Sequence, residues 1–66
     1  MVRTMKATYD SSDTVDNVVL DLIGTGIPRD NIFYDRTTHL VEVNIPEATE
    51  PEVSEILKRH NPEKFN

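Results

Sequence analysis

Few residues in this chain are of a type and spacing that could do chemistry. Gly24-Thr25-Gly26 has the small residues of a phosphate loop, in which N–H groups at a helix N-terminus hold an anion. Here the glycines follow an amphipathic stretch, so they meet helix carbonyls, and their spacing fits neither a dinucleotide fingerprint nor a Walker loop. The segment reads as a helix C-cap. His39 and His60 lack the paired spacing of a zinc helix, and the chain has no cysteine to complete a thiolate site. Asp10, Asp13 and Asp16 form a loose acidic cluster without the glycine turn and distal glutamate of a calcium loop. Structural roles account for these histidines and aspartates. Ser11, Ser12 and Ser54 have no triad context, and no carboxylate pair can be assigned acid and base roles. No catalytic residue, metal ligand or cofactor is expected.

Composition narrows the remaining classes. Seven Lys and Arg stand against twelve Asp and Glu, a formal net charge of −5. Phosphate backbones and anionic lipid heads repel such a chain. Its basic residues, Arg3, Lys6, Arg29, Arg36, Lys58, Arg59 and Lys64, are scattered, so no nucleic-acid partner is expected. Tyr9, Phe33 and Tyr34 are too few for a base-stacking sheet, which sets aromatics on its central strands among basic residues. No apolar run approaches the roughly 20 residues of a membrane span. The first ten residues alternate polar and apolar types and lack a signal-peptide core. No membrane partner is expected, and the default location is cytoplasmic.

The elements that would position any site follow from periodicity. The 66 residues allow one α+β domain with a thin core, because a chain this short buries only about 60% of its unfolded surface. From Val2 to Tyr9 the pattern has a period of two, with Met5, Ala7 and Tyr9 on one side and Thr4, Lys6 and Thr8 on the other. Asp10-Ser11-Ser12-Asp13 offers several helix N-caps. Val15, Val18, Val19, Leu22 and Ile23 then form one helical stripe, with Leu20 off it, and Pro28 follows the glycine cap. Asn31 to Asp35 reads as a second strand, with Ile32 and Tyr34 on one face and Phe33 on the other. Arg36-Thr37-Thr38-His39 is the turn into a third strand, Leu40 to Ile45, with Val41, Val43 and Ile45 inward. Thr49 and Glu52 fit a capping box for a second helix, whose stripe is Val53, Ile56, Leu57 and His60, stopped by Pro62.

This βαββα order predicts a ferredoxin-like sandwich lacking a full fourth strand. The expected sheet has three strands in the order 1-3-2, with both helices on one face. Glu63 to Asn66 is long enough for at most a stub. The first strand is then an open edge. The opposite sheet face is bare and carries Thr4, Lys6, Thr8, Phe33, Leu40, Glu42 and Asn44. Interface residues are therefore expected among Thr4, Lys6, Thr8, Phe33, Leu40 and Glu42, with a homodimer or another protein as the partner.

Certain runs resemble a known family. Ala7-Thr8-Tyr9-Asp10-Ser11 and Gly26-Ile27-Pro28-Arg29-Asp30-Asn31-Ile32 look like the small bacterial general-stress or heat-induced protein domain. Glu55-Ile56-Leu57-Lys58-Arg59-His60-Asn61-Pro62 is similar to the end of its second helix. The resemblance implies a ferredoxin-like fold and a link to stress, and it supplies no catalytic residues. The expected function is a non-catalytic interaction or accessory domain. The alternative is a small-ligand sensor resembling an amino-acid-binding domain of the same topology. Its site would be the N–H groups of the Asp10, Ser11 and Ser12 loop.

Overall fold

Strand alternation, two amphipathic stripes and their caps produce the architecture, which a computed structural model describes for residues 2–65. In β1 (Val2–Thr8), Met5 and Ala7 are buried while Thr4 and Lys6 are exposed. Tyr9 continues the inward set just beyond the strand and is only 1% exposed. Ser11 caps α1 (Ser12–Thr25): its Oγ accepts from the Thr14 N–H at 3.2 Å, satisfying one donor that the first helical turn leaves unpaired. Val15, Val18, Val19 and Leu22 are buried, and Ile23 packs against them. The helix continues through Gly24 and ends at Gly26, whose φ of 109° lies in the left-handed region. The Gly26 N–H donates to the Ile23 carbonyl and the Ile27 N–H to that of Leu22, closing the helix end.

A short 3-10 turn, Arg29–Asn31, leads into β2 (Ile32–Asp35). The turn to β3 (Leu40–Pro46) is held by Asp35 Oδ1, which accepts from the N–H groups of Thr37 and Thr38 at 2.8 and 3.3 Å. His39 closes it with a left-handed φ of 61°. A second 3-10 turn, Glu47–Thr49, runs directly into α2 (Glu50–Arg59), which buries Val53, Ile56 and Leu57. The expected capping box is not made. Thr49 is already in the helical region, at φ −90° and ψ −9°, and its side chain makes no capping bond. An N-cap needs extended backbone to turn its oxygen onto the first turn, and the preceding 3-10 turn denies Thr49 that geometry.

The sheet is four-stranded and antiparallel in the order β2-β3-β1-β4, where β4 is Lys64–Phe65. β3 pairs with β1 from Val2↔Pro46 to Thr8↔Leu40 and with β2 from Ile32↔Val43 to Asp35↔Leu40. The expected order 1-3-2 is kept within this sheet, but the three-stranded count is corrected by β4. It pairs Phe65 with Ala7 and Lys64 with Thr8, so β1 is not an edge along its whole length. Asn61, with a left-handed φ of 56°, and Pro62 turn the chain back after α2. The Glu63 N–H then donates to the Thr8 carbonyl at 2.7 Å and starts the ladder.

One hydrophobic cluster joins the inward residues of β1 and β3, Ile32, and the buried stripes of both helices. The helices therefore lie on one side of the sheet. Tyr9 ties the layers together, donating its hydroxyl to the Leu57 carbonyl of α2 at 2.8 Å. Among the described residues no buried side-chain nitrogen or oxygen lacks a partner.

Candidate interaction surface

The face of the sheet away from the helices can be built from its register. Lys64, Thr8, Leu40 and Asp35 form one row across the strands. Lys6, Glu42 and Phe33 form the next, and Thr4 and Asn44 the one beyond it. The six residues singled out by alternation, Thr4, Lys6, Thr8, Phe33, Leu40 and Glu42, thus share this face, with no helix over them. Its polar members pair laterally. Thr4 Oγ1 donates to Asn44 Oδ1 at 2.6 Å, and Lys6 Nζ lies 3.5 Å from Glu42 Oε1. Cross-strand pairs of this kind hold side chains upright on a sheet. Phe33, 54% exposed, stands diagonal to half-buried Leu40. These two are the apolar elements of the first two rows. Lys6 and Lys64 balance Glu42 and Asp35, so the face carries no net charge.

The two sheet edges differ. β4 covers Ala7 and Thr8 of β1. Among the described residues the outer edge of β2 has no partner along its length, leaving alternate N–H and C=O groups open. Beside that edge lies a groove of about 310 Å³ lined by Asp16, Val19, Leu20, Ile23, Arg29 and Tyr34. Tyr34 shares the inward face with Ile32, as alternation implies, yet it is 50% exposed. An outer strand extends past the cover of α1, and its last inward residue reaches solvent. Leu20 is 64% exposed on the opposite wall. Alternation alone did not mark this groove. The signal for it was Leu20, an apolar residue of α1 standing off the buried stripe.

The other candidates do not form one group, and His39 borders the bare face, lining a cavity with Thr8 and Lys64. In the Asp10-Ser11-Ser12 loop, Ser11 Oγ is engaged by the Thr14 N–H and lies 3.0 Å from Thr14 Oγ1, which donates to Asp10 Oδ1 at 3.5 Å. Ser12 begins α1. His39 belongs to the hairpin, where its carbonyl accepts from the Tyr9 N–H at 2.9 Å. His60 caps α2, and its Nε2 is 2.6 Å from Asp21 Oδ2, a tie between the two helices that spacing did not reveal. Ser54 lies on α2. Burial pushes the Tyr9 hydroxyl up to about 12, but that group is sealed in the core. Among the described residues no three His, Cys, Asp or Glu side chains converge to hold a metal ion. No helix among them is long and apolar enough to cross a membrane.

Compared with protein-family models, with curated proteins and with solved structures, the chain matches none.

Proposed function

We propose that this protein is a non-catalytic interaction domain that self-associates through its bare sheet face, in a ferredoxin-like arrangement. The observation that carries the reading is the uncovered, charge-balanced face with Phe33 and Leu40 adjacent on its β2–β3 side. A chain of net charge −5 repels its own copies over most of its surface, whereas two such faces meet without net repulsion. The element order and the β2-β3-β1-β4 sheet support the ferredoxin-like arrangement. The resemblance of the Ala7–Ser11 and Gly26–Ile32 runs to the bacterial general-stress domain supports an accessory role in stress.

Sedimentation velocity from micromolar to millimolar concentration tests the reading. The weight-average mass should rise with concentration for the wild type. Phe33→Asp, which adds a charge at an exposed position, should stay folded and monomeric. A wild-type protein that remains monomeric throughout, or a variant that associates equally well, contradicts the proposal.

A further inference from the structure

Where β1, β3 and β4 meet, the end of the sheet is hollowed into a cavity of about 450 Å³, lined by Thr8, Tyr9, Thr38, His39, Glu63 and Lys64. We infer that this cavity binds a small, singly charged carboxylate, a function separate from self-association. Most basic side chains of this acidic chain already have a partner within it. Arg3 lies 2.9 Å from Glu50, Lys6 3.5 Å from Glu42, Arg36 3.2 Å from Asp16 and Arg59 3.9 Å from Glu55. His60 meets Asp21, and the Lys58 ammonium stands 5.1 Å from the centre of the Phe65 ring. Among the described residues, Arg29, His39 and Lys64 are the basic side chains with no such partner. His39 and Lys64 line this same cavity, and Thr8 and Thr38 add hydroxyl groups to it.

The donors select the ligand. Lys64 presents an ammonium, His39 a ring N–H, and each threonine a hydroxyl. The complement of such a set is a charged oxygen acceptor, and hydrogen bonds to one are the strong kind. The backbone fixes the frame beneath these groups. The Tyr9 N–H donates to the His39 carbonyl at 2.9 Å, and the Glu63 N–H to the Thr8 carbonyl at 2.7 Å, so the starts of β3 and β4 are both tied to the end of β1. His39 is held at a φ of 61°, a left-handed conformation uncommon for a residue with a side chain. A ligand entering a frame already ordered loses little to ordering it. Glu63 limits the charge. It is the acid of the lining, and together with the net charge of −5 it opposes a second negative charge on the ligand. A single carboxylate therefore suits the cavity and a dianion does not. The Asp10-Ser11-Ser12 loop takes no part, since none of its residues lines the cavity.

The test is an NMR titration of the full chain, kept dilute, with sodium propionate at an ionic strength held constant by sodium chloride. Saturable shifts are expected at Thr8, Thr38, His39 and Lys64, with little change at Phe33 or along α2. Lys64→Gln and His39→Asn should each weaken binding about fivefold. Asparagine tolerates the left-handed region, so His39→Asn keeps the turn. The Ala7 and Phe65 amides, unchanged in both variants, report that β4 stays paired. Arg29→Gln changes the unpartnered base of the groove beside β2 and should leave binding as it is. Sodium sulfate should bind more weakly than propionate, and ethylammonium chloride should give no shifts at these residues. Propionate shifts that are absent, that fail to saturate, or that survive both Lys64→Gln and His39→Asn overturn the site. Sulfate binding at least as tight as that of propionate overturns the singly charged carboxylate as its ligand.

Discussion

Removing the hydroxyl of Tyr9 should destabilise the fold out of proportion to the single atom lost. The ring is 1% exposed, and its hydroxyl donates to the Leu57 carbonyl at 2.8 Å across a sequence separation of 48. That carbonyl lies in the last turn of α2, where helix carbonyls have no intrahelical partner. Tyr9→Phe keeps the packing and leaves this carbonyl buried and unsatisfied, at about 1–3 kcal/mol. A domain of this size has roughly 3–10 kcal/mol in total. At about 4–8 °C per kcal/mol, Tm should fall by roughly 5–20 °C. Circular dichroism melts of both proteins at neutral pH read this directly. The pH dependence supplies a second reading. Burial raises the Tyr9 pKa from 10.0 to about 12, so its contribution is fully present below pH 10 and is lost as pH rises towards 12. Two units correspond to a ceiling of about 2.7 kcal/mol, which solvent screening in so small a domain lowers. The stability gap between wild type and Tyr9→Phe should therefore narrow between pH 10 and 12. An unchanged Tm together with parallel stability curves above pH 10 would refute the reasoning.

The two glycines should respond with opposite signs. Gly24 lies within α1 with open space where a Cβ would stand, so Gly24→Ala should stabilise by about 0.4–1 kcal/mol. Gly26 has equal space but a φ of 109°, so Gly26→Ala should destabilise by about 1–2 kcal/mol; thermal melts of the pair check both signs. Leu22 is fully buried, and Leu22→Ala should cost about 2–5 kcal/mol by urea denaturation, enough to unfold a marginal domain. Ser11→Ala removes the cap on the Thr14 N–H and should cost about 1 kcal/mol, measured in the same way.

Local pattern made much of this molecule legible in its sequence. Alternation in β1 and β3 and the helical stripes of α1 and α2 each bury one set of side chains, and those sets with Ile27 and Ile32 make up the core. The same alternation identified the bare face, since side chains that alternate with a buried set lie on the opposite face of the sheet. What stayed hidden depended on distant partners or on the path of the backbone. β4 is two residues long, too short to show a period, and forms because the chain turns at Asn61 and Pro62 towards the open end of β1. The Thr49 box has the right residues, but the 3-10 turn before it fixes the wrong backbone. Tyr34 points inward as its parity requires, yet on the outermost strand it stands beside α1 at the rim and is half exposed. The Tyr9–Leu57 and His60–Asp21 ties join segments far apart in sequence, and nothing in either local pattern announces them.

An amide NMR dilution series, from millimolar to micromolar protein, most directly tests whether the bare sheet face is the interaction surface. Association through that face gives concentration-dependent shifts clustered on Phe33, Leu40, Glu42 and Lys6, and little change at Asp10-Ser11-Ser12 or along α2. Shifts centred on that loop or on α2, or none anywhere, would contradict it.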